Sequence, residues 1–247
     1  MQAATMRFGR AFAAACALAS LPRVAIASAY TLDPVRIQLS ASQPYGEVTL
    51  RNESSTPISM QVDLERWRQL GAQRRLQAAR NLLASPPLFV MAPGRAQIVR
   101  FALRHPPAGA TERAWRVSFS ELLSPSRRSN EAELLLRTSI ALFYRPAQAS
   151  PAQLRARATR GPRQLALQLR NDGGVHLEVV DLRVRCGHAT LFDHPTLIYL
   201  LPGAHDTLEL PLPPPACALH VDARTDARAP LDHARLRIAV DGAGDRR

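Results

Sequence analysis

Apolar and polar residues alternate with a period of two along most of this chain, and this alternation restricts its fold more than any other feature. The clearest runs are short, namely Glu47–Arg51, Met60–Leu64, Ile98–Leu103 and Trp115–Phe119. A period of two places every second side chain on one face of a β-strand, as in strands with one buried face. Leu70–Leu83 is the main exception, since its apolar residues fit a short helix or a loop. The chain also has 20 prolines, which interrupt helices, and we predict an all-β protein.

Two sets of alternating runs are separated by a short polar segment. The first set ends with the apolar run Leu134–Tyr144, and the small, polar residues 147–151 then have the composition of a hinge. The second set begins at Leu165. About seven short strands per hundred residues, separated by turns, are typical of an immunoglobulin-like sandwich. We predict two immunoglobulin-like β-sandwich domains in tandem, over residues 30–146 and 152–247.

The first 29 residues have the order of features found in a secretory signal peptide. Arg7 and Arg10 precede the apolar stretch Ala11–Leu21, and Ala27–Ala29 (Ala-Ser-Ala) provides a cleavage site. The apolar stretch is too short to span a bilayer. We expect export with cleavage after Ala29, and no stable insertion of the mature protein into a membrane.

All 32 basic residues of the chain are arginines, since the sequence contains no lysine. The net charge is +12, and it falls to +9 without the three arginines of residues 1–29. A basic protein can attract nucleic acid. These arginines are spread along the chain, however, and an exported protein rarely meets nucleic acid. We expect a solvated basic surface and no nucleic-acid partner.

Two cysteines, Cys186 and Cys217, remain after removal of the signal peptide. In an oxidising compartment such a pair favours a disulfide, which would stabilise the fold by roughly 3–4 kcal/mol when it closes about 30 residues. A zinc site is a second possibility, because His188, His194 and His220 lie nearby in the sequence. The spacing fits no common zinc-finger pattern. Free thiols are the third possibility, and we predict the disulfide.

The motifs of common active sites are absent from the sequence. It contains no nucleophile elbow (G-x-S-x-G), phosphate-binding loop, H-E-x-x-H motif or glycine-rich dinucleotide turn. Acidic pairs such as Glu112 with Glu121, or Asp63 with Glu65, lie among arginines at strand or turn positions. Surface ion pairs explain them better than acid–base catalysis. We predict neither catalysis nor a cofactor or metal site.

One strand of the first block is apolar on both faces. Ala132, Leu134 and Leu136 fall on one face by strand parity, Leu135 falls on the other, and the polar connector Ser124–Asn130 precedes them. Such a strand is either buried between layers or offers one face to a partner outside the protein. The sequence pattern alone leaves both explanations open.

The first block resembles the periplasmic pilus-assembly chaperones of the chaperone–usher pathway. Five segments carry the resemblance in the family's order and approximate spacing, over most of residues 32–146: Val48–Pro57, Trp67–Gly71, Ser85–Arg100, Arg113–Leu122 and Thr138–Pro146. The second block is similar to the family only loosely, mainly through Tyr199–Ala204. The resemblance implies a boomerang arrangement of the two sandwiches and a location in the periplasm.

The resemblance also implies how such a protein works. In this family the first domain lends its last strand to an incomplete pilus or fimbrial subunit, a known case of β-strand addition, and delivers the subunit to an outer-membrane usher. The matching positions of the donated strand are Ala132, Leu134 and Leu136. Burial of each leucine would contribute roughly 1.5–3 kcal/mol.

The family anchors the subunit's C-terminal carboxylate with two basic residues. Arg36 matches the first of them, and an arginine can donate two parallel hydrogen bonds to a carboxylate. The second is a lysine in the family, and its matching position here is Ala141. Arg137 has the same strand parity but lies four residues earlier, roughly 13 Å along an extended chain. Arg137 therefore substitutes only in a shifted register, and otherwise Arg36 acts alone.

Two other functions remain open at this point. The missing lysine would suit a general periplasmic binding or adhesion module without subunit capture, in which Leu134 and Leu136 are covered within the monomer. A zinc-dependent activity of the second domain is the other, and it requires that Cys186 and Cys217 are not bonded to each other.

Overall fold

The computed structural model describes residues 30–123, 134–214, 217–225, 233–238 and 240–241, with side chains as far as residue 225. The predicted signal peptide lies outside these residues. All regular elements among them are β-strands, so the predicted all-β class is confirmed. In the same residues, no helix is long and apolar enough to cross a bilayer.

The first sandwich is built from the strands of residues 30–145. These are β1 (Tyr30–Asp33), β2 (Arg36–Ser40), β3 (Tyr45–Asn52), β4 (Ile58–Leu70), β5 (Gln73–Ala78), β6 (Leu82–Ser85), β7 (Leu88–Met91), β8 (Ala96–Leu103), β9 (Arg113–Leu122) and β10 (Arg137–Arg145). One sheet has the order β1-β3-β8-β6. The other has the order β2-β10-β9-β4-β5, with β7 also paired to β4. The β2–β10 pair is parallel, whereas the other recorded pairs of this sandwich are antiparallel.

The alternation seen in the sequence becomes the core of this sandwich. Val48 and Leu50 point inward from β3, and Trp115, Val117 and Phe119 point inward from β9, all with no exposed surface. Burial of alternate side chains from two facing sheets is the usual way in which a sandwich forms its core.

The expectation of a short helix or a loop over Leu70–Leu83 is wrong. Gln73–Ala78 forms strand β5, which pairs with the end of β4 in an antiparallel hairpin. Gly71 lies in the turn with a φ of 60°, a conformation that glycine adopts without steric cost. All six residues of β5 are exposed, so this strand has no buried face that would impose alternation on its sequence.

The second sandwich begins after the predicted hinge. Its strands are β11 (Leu154–Arg160), β12 (Gln164–Asn171), β13 (Leu177–Cys186), β14 (Ala189–Leu200), β15 (His205–Pro211), β16 (Leu219–Thr225), β17 (His233–Ile238) and β18 (Val240–Asp241). They form two sheets, with the orders β15-β12-β11-β18 and β14-β13-β16-β17. Inward-pointing leucines and valines of β12, β13 and β16 fill the core. The predicted boundaries at residues 146 and 152 fall between β10 and β11 and stay a prediction, as does the boomerang shape.

Both sandwiches use the same polar arrangement at the end of a core strand. Asn52 ends β3, Asn171 ends β12, and both side chains are fully buried. Each side-chain amide donates to two backbone carbonyls at 2.7 to 3.0 Å. Each backbone carbonyl accepts from the glycine of a Pro-Gly turn, Gly94 or Gly203, at 2.9 Å. The shared residues are too few to be recognised as a repeat in the sequence, yet both buried asparagine amides are paired where these strands end.

Cys186 and Cys217 form a disulfide, with their Cα atoms 5.9 Å apart. Cys186 ends β13, and Cys217 stands just before β16, the neighbouring strand of the same sheet. Sulfur atoms bonded to each other cannot act as thiolate ligands of zinc, so the zinc-dependent function loses its two cysteines. The described residues hold no group of three or more His, Cys, Asp or Glu side chains that could bind a metal ion.

Replacing both Cys186 and Cys217 by serine is expected to lower the free energy of unfolding by about 3–4 kcal/mol. The disulfide closes a separation of 31 residues and therefore restricts the unfolded chain. Urea denaturation followed by circular dichroism measures the loss. Wild-type protein treated with a reducing agent should unfold at the same midpoint as the double variant. Equal stability of oxidised wild type and double variant would contradict the prediction.

Candidate functional site

The candidate site lies between the two sandwiches, along strand β10. Ile140, Leu142 and Tyr144 pack into the core of the first sandwich. Ala141 and Phe143 point the other way, into an apolar cluster shared with the second sandwich. The explanation of this strand as covered on both faces therefore holds for residues 140–144.

The segment before β10 is different. Leu134 and Leu135 are 66% and 38% exposed and precede the strand, which begins at Arg137. Leu136 is half-buried, and its carbonyl accepts a hydrogen bond from the amide of Glu121 at 3.0 Å. Ala132, the third predicted position of the donated strand, lies outside the described residues. The apolar sequence predicts a strand from Leu134 to Tyr144, but the observed strand begins only at Arg137. Residues 134 and 135 stay outside it because they have no apolar layer to pack on.

Strand pairing brings Arg36 and Arg116 to either side of Ala141. Arg36 begins β2 and is the parallel partner of Ala141, while Arg116 is its antiparallel partner on β9. Residues directly opposite each other on neighbouring strands point to the same face of the sheet. We call Arg36, Ala141 and Arg116 the arginine row, and it faces the second sandwich.

Contacts of the two arginines agree with this orientation. Arg36 Nη1 lies 3.5 Å from Oε2 of Glu178, which belongs to β13 of the second sandwich. The Arg116 guanidinium stands over the ring of Trp67, 5.1 Å from its centroid. Burial lowers the pKa of Arg116, and the nearby charge of Arg74 lowers it further, whereas Glu178 acts in the opposite direction. No residue pattern in the sequence pointed to Arg116 or Glu178, because only the pairing of β9 with β10 reveals their position.

Arg137 lies on the same face of the sheet, outside the arginine row. It is paired across the strands with Ser120, and its Nη2 lies 3.7 Å from Oε2 of Glu65. More than half of its side chain is exposed. Arg137 lies four residues before Ala141, the strand partner of Arg36. Its role as a second anchor therefore still requires a shifted register.

An apolar cluster joins the two sandwiches beside the row. It contains Trp67, Ala114, Ala141, Phe143, Leu201 and Ala204. The ring centroid of Trp67 lies 6.2 Å from that of Phe143 and 5.4 Å from that of Tyr199. The cluster fixes the sheet that carries the arginine row against the second sandwich.

A buried polar group forms the other contact between the sandwiches. The Glu112 carboxylate accepts hydrogen bonds from the backbone amide of His176 at 2.8 Å and from Arg145 Nε at 3.5 Å, and it is also bonded to His176 Nδ1. Its backbone amide donates to the carbonyl of Gly174 at 2.8 Å. Glu112 is only 5% exposed, so its prediction as a surface ion pair is wrong. His176 lies 64 positions away and Arg145 lies 33 positions away, and sequence spacing gives no sign of either partner.

An arginine-lined groove of about 550 Å³ lies elsewhere on the first sandwich. Arg66, Arg68 and Arg113 line it together with Trp115. Burial lowers the pKa of Arg66 to about 10, with contributions from the charges of Arg113 and Arg68. The Arg66 guanidinium covers the Trp115 ring at 4.5 Å and donates to the carbonyl of Ala114 at 3.2 Å. Arg66 thereby closes the end of the core, on the sheet face opposite the arginine row.

Comparison with known proteins identifies a family for the first domain. Residues 29–150 match the family of the pili and flagellar-assembly chaperone, PapD N-terminal domain. The search among curated proteins found no match.

Solved structures share the fold over most of the chain. A chain of the CsuC–CsuE chaperone–tip adhesion subunit complex from archaic Csu pili of Acinetobacter baumannii is 16% identical, with a TM-score of 0.66 over 87% of this chain and 100% of that chain. The YadV chaperone is 15% identical, with a TM-score of 0.64 over 85% and 99%. A chain of the Salmonella enterica SafA pilin–SafB chaperone complex is 17% identical, with a TM-score of 0.60 over 84% and 96%. These similarities confirm the two-domain immunoglobulin-like sandwich fold.

Proposed function

The chain belongs to the family of pilus-assembly chaperones through its N-terminal domain, and from this premise we propose that it captures pilus subunits by strand donation in the periplasm. The donated segment is Ala132–Leu136 together with the start of β10, and Arg36 takes part in holding the subunit's terminal carboxylate. Delivery to an outer-membrane usher follows as the next step of the same proposal.

An open strand edge carries the proposal. In the described residues, β2 pairs with β10 only from Ala141 to Arg145, whereas β9 pairs with β10 from Arg137 onward. The edge of residues 137–140 that faces away from β9 thus lacks a neighbouring strand there, and the exposed Leu134 and Leu135 lead into it. Unpaired backbone groups at such an edge are a template for an added strand.

The direction of β2 determines where an added strand would end. β2 runs parallel to β10 and begins at Arg36. A subunit strand that pairs along the same edge in the same direction would end just before Arg36. Its C-terminal carboxylate would then meet a guanidinium, which suits a pair of charge-assisted hydrogen bonds. The open edge and the cation therefore fit one ligand, a strand with a free carboxyl end.

The exposed leucines also distinguish this function from its alternative. A binding or adhesion module without subunit capture requires that both Leu134 and Leu136 are covered within the monomer, and Leu136 is half-buried. Leu134 is 66% exposed, and Leu197 on the second sandwich is equally exposed. Leu134 has the same strand parity as Ile140 and Leu142, which face the core. A subunit sandwich that takes up this segment as a strand would therefore bury Leu134 on the core side of its sheet.

Substitution of both Leu134 and Leu136 by glutamate is expected to reduce subunit recovery at least about tenfold. Each lost leucine removes roughly 1.5–3 kcal/mol of burial, and 1.4 kcal/mol corresponds to a tenfold change in affinity. The measurement is periplasmic co-expression of the chaperone with a pilus subunit, followed by affinity pull-down and quantification of soluble subunit.

Leu197→Glu is the matched control, since this leucine is as exposed as Leu134 but belongs to the second sandwich. It should recover as much subunit as wild type. Circular dichroism shows whether each variant is folded. If folded Leu134→Glu/Leu136→Glu protein recovers as much subunit as the control, strand donation by this segment is wrong, and the binding-module function becomes the better explanation.

A further inference from the structure

The arginine row contains a second cation that the family resemblance does not indicate. Ala141 has no charged group, yet its neighbours on both sides are arginines, Arg36 and Arg116. Neighbouring strands lie about 4.8 Å apart. Each guanidinium therefore has only one strand spacing to cross, and Ala141, which is 2% exposed, places only a methyl group between them. Arg137, by contrast, stands roughly 13 Å along the strand.

A carboxylate of the second sandwich faces this pair of arginines. Glu178 lies on β13, its side chain is 11% exposed, and its Oε2 is 3.5 Å from Arg36 Nη1. Its negative charge also acts on Arg116. The same two cations that would receive the terminal carboxylate of a subunit are therefore already close to a carboxylate of the protein itself.

We propose that Arg36 and Arg116 together form the carboxylate anchor of this protein, and that Glu178 occupies the anchor until a subunit strand displaces it. This inference rests on the proposed capture of subunits. It adds the identity of the second cation and a competition between the internal and the incoming carboxylate.

Trp67 gives Arg116 a fixed place in the anchor. The guanidinium lies over the indole ring at 5.1 Å, and Trp67 is itself only 4% exposed. A guanidinium keeps its charge over an aromatic ring, and its N–H groups, which lie in its own plane, stay available to a carboxylate. Arg116 is therefore a preorganised donor, which a flexible lysine at position 141 would not be.

Competition follows from the charges of the site. Arg36 and Arg116 face Glu178, whereas Glu65, the partner of Arg116 on β4, lies 3.7 Å from Arg137. Glu178 belongs to the other domain, so its release from Arg36 breaks a contact between the sandwiches and frees the cation for the subunit. Removal of the Glu178 charge should therefore strengthen the binding of an external carboxylate. A bridging role, in which Glu178 and the subunit bind together, would have the opposite effect.

The test uses a fluorescent eight-residue peptide of alternating valine and threonine, prepared as the free acid and as the C-terminal amide. Binding to the mature protein is followed by fluorescence anisotropy. Wild type should bind the acid about tenfold more tightly than the amide, as expected for charge-assisted hydrogen bonds. Arg116→Gln should remove most of this preference, and Arg116→Lys should restore part of it. Glu178→Gln should bind the acid about threefold more tightly than wild type and the amide no differently.

Arg100→Gln is the control, because Arg100 lies on β8 in the other sheet of the first sandwich, where it pairs with Glu47 at 3.5 Å, and it should keep the wild-type ratio of acid to amide affinity. If Arg36→Gln loses the preference while Arg116→Gln keeps it, the proposed function stands and Arg116 is not part of the anchor. If Glu178→Gln binds the acid no better than wild type, the competition is wrong. If wild type does not prefer the acid, the carboxylate anchor itself fails, and this inference fails with it.

Discussion

Trp67→Ala is expected to lower the free energy of unfolding by about 4 kcal/mol, within the range of roughly 3–5 kcal/mol for buried tryptophans replaced by alanine. Trp67 is 4% exposed and packs against Phe143 of its own sandwich and Tyr199 of the other. The variant leaves a cavity between the domains and removes the ring beneath Arg116. Urea denaturation monitored by circular dichroism measures the loss without depending on tryptophan fluorescence.

Val90→Ala provides the comparison for this prediction. Val90 belongs to the same sandwich but is 66% exposed, and such surface changes usually stay within about 0.5 kcal/mol. A loss below about 1 kcal/mol for Trp67→Ala would mean that the two sandwiches do not pack around this ring.

The fold was predictable wherever a strand has one buried face. Runs such as Trp115–Phe119 alternate because only every second side chain reaches the core, and the structure buries Trp115, Val117 and Phe119 fully. Strand β5 was not predictable in this way. Its six residues are all exposed, so burial does not constrain their order, and only pairing with β4 makes them a strand.

The site was less predictable, because strand pairing joins residues that are far apart in the chain. Arg36 and Arg116 are separated by 80 positions and meet only through the register of β2, β10 and β9. Among the 32 arginines of the sequence, the resemblance selects Arg36, but no sequence feature selects Arg116. Parity along the strand led to Arg137, whereas the nearest neighbours of Ala141 lie across the strand, at about 4.8 Å.

The burial of the Glu112 charge was also not predictable from the sequence. Its neighbours in the sequence are polar, and its partners His176 and Arg145 lie 64 and 33 positions away. The His176 ring stacks on the Phe143 ring with centroids 3.7 Å apart, which holds the imidazole against the carboxylate. Burial alone would raise the pKa of Glu112, but the hydrogen bonds and charge of His176, with the charge of Arg145, lower it overall.

Glu112→Ala should therefore destabilise the protein by about 3 kcal/mol, since removing one member of a buried ionic pair leaves its partners without compensation. The His176 backbone amide and imidazole would lose their acceptor, and Arg145 would lose its carboxylate. Calorimetry or urea denaturation at neutral pH measures the difference from wild type. Glu121→Ala is the control, because it removes a carboxylate of the same strand region that is half-exposed.

Acid should remove the stability that the Glu112 carboxylate gives to the wild type. This direction follows because the pKa of Glu112 is lowered in the folded protein. A carboxylate whose pKa is lower in the folded than in the unfolded state stabilises the fold fully above its ordinary pKa of about 4.5. The contribution then falls as the pH drops through the lowered pKa, because the folded carboxylate becomes protonated. The difference in unfolding free energy between wild type and Glu112→Gln should be constant above about pH 5 and shrink below it. A difference that grows towards acid pH would mean that Glu112 is held neutral in the fold, and that the contact between the sandwiches is not the charged one described above.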